Sequence, residues 1–403
     1  MLFKRPPRRT LSIHRRHLGL TVGMIFQKRA IKRMILAVAE QLSNTISTSL
    51  MMSLCSILEK LLKKYRQIAY IDVAKELRYN DPSKRSIAAW SNDEVYLNFR
   101  FLNRAQVFRL KDGFKFPEKI TLQSRHEFSG EEAVLILLYR FHYPGRLTDM
   151  EKIFSRDYST ISRIFNWSIN FMVTHWGHLL NNRMDYWRDS FPLFAKKINE
   201  KHIENGGVGS LNPRIFGFID TTINAIARPS QGERLPGGAG VDQILEDVQR
   251  CFYTKYKKLH GLKFQTVGLP NGMHFHVSGP YSARHNDAYI YGKSHIEDSL
   301  RELQSGEPEQ YKIHGDNAYT NTDYCTVQQL RKLRISIEWT YHEVKDFYKL
   351  IDYKRLLKIQ LMNVGDLLFT ALLLHNSYVA MNGSEASSYF DIAPPTFDSW
   401  IST

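Results

Sequence analysis

The sequence predicts a mixed α/β domain preceded by an all-α helical region. Two observations predict it. Between about residues 117 and 191 apolar residues recur at helical spacing around aromatic anchors, while from about 212 the pattern changes to short strand-length runs followed by helical stretches. Two of those runs end in an aspartate, Asp220 and Asp316. The chain divides accordingly into a basic, then helical, N-terminal extension (1–80), a mixed-charge connector (81–116), a helix-turn-helix-like region (117–191), the α/β domain (212–380) and a tail rich in Ser and Pro (381–403).

In the helical region Ser129 opens a helix and Glu132, three residues on, completes the pattern of a capping box. The helix runs through Phe141, and Pro144-Gly145 ends it. Thr148 to Phe154 makes a short second helix, residues 155–158 turn, and Ser159 caps a third through about His175. Ile161, Ile164, Phe165, Ile169 and Met172 give that third helix one apolar face. Its first turn presents Ser159, Thr160, Ser162 and Arg163 to solvent, the positions that approach the major groove in a helix-turn-helix. A plain three-helix bundle has the same spacing, so both readings stand.

In the α/β domain, Arg214 to Asp220 is an apolar run ending in aspartate. Lys263–Leu269 and Met273–Val277 are strand candidates joined by the turn signal Pro270-Asn271-Gly272. Asp287 to Leu303 reads as a helix, Tyr311 to Asp316 as a strand ending in aspartate, and Ile337 to Ile351 as a helix with Glu338 in its first turn. Little chain separates Asp316 from Glu338; a helix at Thr326–Leu333 and a strand at Ile335–Ile337 would just span it. Adjacent strand ends bring two aspartates together, and a glutamate on a covering helix completes a set of hard oxygen donors. Such a set suits Mg²⁺ or Mn²⁺, and two such ions can activate a water or 3′-hydroxyl and stabilise a leaving oxygen in phosphodiester transfer.

Composition sets the partner class. Fifty-five Lys and Arg against 40 Asp and Glu give a net charge of +15 and a pI near 9.5. That surplus favours a polyanion, most commonly nucleic acid. Three scattered cysteines without a CxxC pair argue against a disulfide framework or a cysteine zinc site. His274, His276, His285 and His314 lack the spacing of a zinc hydrolase, and no GxSxG occurs. The uncharged run Gln41 to Leu58 is interrupted by Ser, Thr and Asn and reads as an amphipathic helix, not a membrane span. Residues 1–39 carry no acid; KRPPRR (4–9) fits a nuclear address, an organelle presequence or a disordered basic arm.

From Asp220 to Asp391 the sequence resembles the DDE transposases of the PIF/Harbinger group. The matching stretches are FGFID (216–220), Arg228-Pro229, LHGLKFQTVGLPNG (259–272), GP followed by RHND (279–287), GDNAY (315–319), RISIEW (334–339), ALLLHN (371–376) and SSYFDIAPPTFDSW (387–400). FHYPGRLTDMEKIF (141–154) is similar to the helical stretch ahead of their catalytic domain. The resemblance implies a ribonuclease-H-like mixed sheet with helices on both faces and a divalent-metal-dependent DNA endonuclease. In it Asp220, Asp316 and Glu338 are the catalytic and metal-binding carboxylates, and Asp287 starts a helix without binding metal. Lys257, Lys258 and Lys263 would flank the site as phosphate contacts; Ser159, Thr160 and Arg163 are the DNA contacts of the helix-turn-helix reading. It also implies action on transposon ends or genomic DNA, a nuclear location, a separate Myb-like DNA-binding protein and self-association. A domesticated descendant that binds DNA without cutting it is the alternative. Thr221 stands where a small residue usually follows the first aspartate, and a Gly-rich, then acidic stretch, 232–249, is inserted after Pro229.

Overall fold

The computed structural model describes residues 31–41, 53–62 and 83–403, except 124, 182, 212–213, 230–248, 308–309, 328–329, 360 and 403. The KRPPRR stretch, most of the run from Gln41 to Leu58 and nearly all of the insertion after Pro229 lie outside the described residues. The chain divides at Pro82 into two units. In the first, residues 31–41 (α1) and 53–62 (α2) are helical.

The second unit, Ser83–Thr403, opens with two helices inside the stretch read as a connector. Ser91 caps α3 (Asn92–Phe99) with a full capping box, and Asn103 caps α4 (Arg104–Gly113). Most of their charges face outward while Val95, Phe99, Val107 and Leu110 enter the core; Lys111 is buried and pairs with Glu118 and Asp112. Mixed charge here marks the outer face of amphipathic helices. A two-stranded ribbon follows, β1 (Ile120–Thr121) with β2 (Glu127–Phe128).

Ser129 caps α5 (Gly130–His142), as expected, by accepting the Glu132 N–H. The Glu132 carboxylate does not complete the box; it is nearly fully buried and accepts both Nε and Nη2 of Arg156, at 2.8 and 2.9 Å. Next come α6 (Leu147–Phe154) and α7 (Tyr158–Trp176). Asp157, not Ser159, is the cap of α7: its carboxylate accepts the N–H of Ser159 and of Thr160, each at 3.0 Å. A one-turn helix, α8 (Asp185–Arg188), leads to α9 (Phe191–Glu204).

A six-stranded mixed sheet follows. Its central strand, β3 (Arg214–Ala225), pairs antiparallel with β5 (Leu259–Gly268) and parallel with β7 (Tyr311–His314). Beyond β7 lies β8 (Cys325–Thr326), parallel; β5 also pairs antiparallel with β4 (Tyr253–Thr254) and β6 (His274–Ser282). The β5–β6 turn uses Gly272 at φ 83°, a left-handed conformation open to glycine. The remaining helices are α10 (Asp287–Lys293), α11 (Ile296–Leu303), α12 (Arg331–Phe347), α13 (Val364–Asn382), α14 (Glu385–Phe390) and α15 (Phe397–Ile401). The single helix expected over Asp287–Leu303 is thus two, broken at His295, which sits at φ 53°.

The sheet carries helices on both faces. Side chains alternate along a strand, so the cross-strand pair Asp220 and Thr266 faces one side and the pair Thr221 and Gln265 the other. The Tyr341 hydroxyl of α12 donates to the Asp220 carbonyl at 2.9 Å and meets Thr266 Oγ1 at 2.6 Å, which sets α12 on the first face. On the second, Thr221 Oγ1 meets the Tyr319 hydroxyl at 2.9 Å, and the Tyr319 ring lies edge-on to Tyr291 of α10. Among the described residues α13 is the one helix long and apolar enough to cross a membrane; 72% of its most apolar window is buried inside the molecule, so it serves as a core helix. Its Asn376 holds strand β6 by accepting the His274 N–H at 2.8 Å and donating to the His274 carbonyl at 3.0 Å.

Candidate active site

Asp220 does not end its strand: β3 continues to Ala225, so the carboxylate lies in the strand interior. Asp316 lies just past β7. Phe218 pairs with His314 on the neighbouring parallel strand, so each aspartate stands two residues beyond that pair. Gly315 makes the turn to Asp316 possible, because a Cβ there would meet the Tyr319 ring at 2.6 Å. The Asp316 carboxylate accepts the Ala318 N–H at 2.9 Å, a local turn that fixes it.

Glu338 sits two turns into α12, not in a first turn. The expected helix at 326–333 and strand at 335–337 are replaced by β8 and by one continuous helix from Arg331. The reason is periodicity: Leu333, Ile337, Thr340 and Val344 are all buried, at helical spacing, on the face toward the sheet. The run Ile335-Ser-Ile337 mimics a strand only when read in isolation.

Continuous helix places Arg334 four residues before Glu338, on the same face. Its Nη2 donates to Glu338 Oε1 at 2.8 Å and its Nη1 to Asp220 Oδ2 at 3.2 Å. One guanidinium therefore joins two of the three expected carboxylates. Sequence reading missed it; the spacing R-x-x-x-E on a helix was the available signal. Burial pushes the Asp220 carboxyl up to about 6; the Thr221 N–H and the Arg334 charge oppose the rise, and the Asp316 and Asp287 charges add to it. The rise is therefore mainly a burial effect, with the neighbouring aspartates a smaller contribution.

The fit to a divalent cation is chemical first. Three carboxylates are hard oxygen donors, and Asp220 is buried with Asp316 and Asp287 near enough to raise it, though the Arg334 charge acts on it more strongly. As placed, however, among the described residues no group of three or more His, Cys, Asp or Glu side chains stands close enough to hold a metal ion. Arg334 supplies the positive charge between Asp220 and Glu338 instead.

The other expected contacts divide. Lys263 is committed: its Nζ donates to Asp287 Oδ1 and to the His285 carbonyl, both at 2.8 Å, and it is largely buried, so it is not a free phosphate contact. Asp287 opens α10, as expected. Lys257 and Lys258 stand exposed in the β4–β5 turn. On α7, Arg163 is exposed. Thr160 is buried with its hydroxyl on Asp157 at 2.5 Å, and so cannot reach a groove. Ser159 is half-buried and its hydroxyl also donates to Asp157. His274 and His276 are buried, held neutral by burial, and form no ligand cluster among the described residues.

The family described as DDE superfamily endonuclease matches residues 219–376, from β3 through α13, a span that contains Asp220, Asp316 and Glu338. No curated protein and no solved structure gives a significant match. A domain of that family implies a ribonuclease-H-like fold, with which the mixed sheet agrees, and DNA as substrate. In general terms the match supports a nuclease of transposase origin.

Proposed function

We propose that the chain is a transposase-derived, divalent-metal-dependent DNA endonuclease of PIF/Harbinger type, with Asp220, Asp316 and Glu338 as its carboxylates. One observation carries it: inside the matched segment, Asp220 on β3 and Asp316 just past β7 each stand two residues beyond the paired Phe218 and His314, and Glu338 reaches the same guanidinium as Asp220 from the covering helix. Mg²⁺ or Mn²⁺ held by these carboxylates would supply Lewis-acid activation of the attacking oxygen and charge neutralisation at the scissile phosphate. The chain's own residues do the rest. Burial raises the Asp220 carboxyl, and a bound cation would favour its ionised form. The hydrogen bond from Tyr341 to the Asp220 carbonyl and the one between the Thr221 and Tyr319 hydroxyls fix its strand from both faces. Lys257, Lys258 and Arg163 offer exposed charge to phosphates. A nuclear location, a separate Myb-like DNA-binding partner and self-association belong to the same proposal.

The second reading is a domesticated DNA-binding protein that no longer cuts; the Arg334 bridge and the lack of an assembled ligand group among the described residues favour it. Purified full-length chain and an Asp316→Asn variant, each with supercoiled plasmid and Mg²⁺ or Mn²⁺, separate the two. Nicking by the parent and not by the variant is expected. Salt-dependent plasmid binding with no nicking by either establishes the second reading.

A further inference from the structure

Away from the carboxylates, a cavity of about 900 Å³ opens beside strands β4 and β5. Arg228, Arg250, Lys255 and Arg284 line it together with Tyr253 and Tyr256, and none of the described residues lining it is acidic. The β4–β5 turn forms one lip. It presents Lys255, Tyr256, Lys257 and Lys258 in succession, all exposed, and the Tyr256 ring is 85% exposed with the Lys257 ammonium 5.0 Å from its centroid. At the back, the Arg228 guanidinium is held by a neutral acceptor, Gln249 Oε1, at 3.0 and 2.8 Å, so its charge is not cancelled there. His260 lies beside the Tyr253 ring, 5.1 Å between centroids.

An exposed tyrosine among cations on a hairpin is poor design for a duplex, whose base faces are already stacked. It is good design for unpaired nucleotides, whose phosphates meet the cations while their bases stack on the rings. Position supports the assignment. His260 accepts from the Ile226 N–H next to β3, six residues along from Asp220, which at strand rise is roughly 20 Å. A strand opened at the carboxylates could reach the cavity within a few nucleotides.

We infer that this cavity binds unpaired single-stranded DNA flanking the site of cleavage, with Tyr256 and Tyr253 stacking bases and Arg228, Lys255 and Arg284 contacting phosphates. The inference rests on the reading that the chain acts on DNA. The test is fluorescence anisotropy of full-length chain with labelled oligo(dT) of about 20 nucleotides, longer than common single-strand sites, and with a duplex of equal length, in EDTA. Tyr256→Ala is expected to weaken oligo(dT) binding roughly tenfold and to leave duplex binding unchanged, while Tyr256→Phe keeps both. Arg284→Gln should lower the salt slope for oligo(dT) by about 0.7. Absence of oligo(dT) binding by the parent, or equal losses on both DNAs in Tyr256→Ala, would overturn the assignment. Because EDTA removes metal, this result is independent of plasmid nicking: intact oligo(dT) binding with no nicking sinks the nuclease reading alone.

Discussion

At the scale of residues, Asp220 and Arg334 define the site's electrostatics. Asp220 has an ordinary value of 3.8 that folding raises to about 6. A raised carboxylate favours the protonated native form, so its ionisation costs stability: nothing below about pH 4, progressively more up to about 6, and fully above it. Asp220→Asn removes that cost. We expect urea unfolding to show the variant more stable at pH 7, by on the order of 3 kcal/mol, and no more stable at pH 4. The two aspartates and the glutamate were proposed from distinctive stretches, FGFID, GDNAY and RISIEW, all inside or overlapping the matched segment. Arg334 was not, because its partners belong to different elements. An ion pair from a helix to a strand more than a hundred residues away leaves no local pattern, whereas its i,i+4 half with Glu338 does. The loss of Thr160 and Lys263 as DNA contacts has the same origin: each side chain is taken by a carboxylate, Asp157 or Asp287, whose position only the fold sets.

At the scale of elements, most of the order was legible. The β5–β6 hairpin followed from its turn signal, α5 from its Ser129 cap, and α6 and α7 from their apolar spacing, although Asp157 and not Ser159 caps α7. Misreading concentrated where a β-branched run interrupts a helix: Ile335 and Ile337 looked like strand, but Leu333, Thr340 and Val344 complete a helical face that burial against the sheet rewards. The connector was misjudged for a related reason, since its charge hid Val95, Phe99, Val107 and Leu110. The turn between α6 and α7 is tied to α5 by the Arg156–Glu132 pair, whose glutamate side chain is 3% exposed. Removing the arginine leaves a buried carboxylate, with Arg85 at 3.9 Å as its remaining cation. Arg156→Ala should therefore destabilise the fold by about 3 kcal/mol, measured by urea unfolding; a loss near zero would show that the pair does not tie the turn down.

At the scale of the whole molecule, the helices from α3 to α9 and the sheet share one core, and Ser83–Thr403 forms one compact unit. Phe141 of α5 packs edge-on to Tyr348 after α12, and α13 lies among α7 and β6. The carboxylates are thus set in a rigid frame, while the net charge of +15 supplies long-range attraction for DNA. Between Asp220 and Glu338 stands the Arg334 guanidinium, in the place a metal ion held by both would take. The most direct test of the account is therefore calorimetric titration of Mn²⁺ into full-length chain, Glu338→Gln and Arg334→Gln. The account predicts Mn²⁺ binding by the parent, weaker binding by Glu338→Gln, and binding on the order of tenfold tighter by Arg334→Gln, because one competing charge is gone. No binding by any of the three, or equal affinity in all, would contradict a metal site built on these carboxylates.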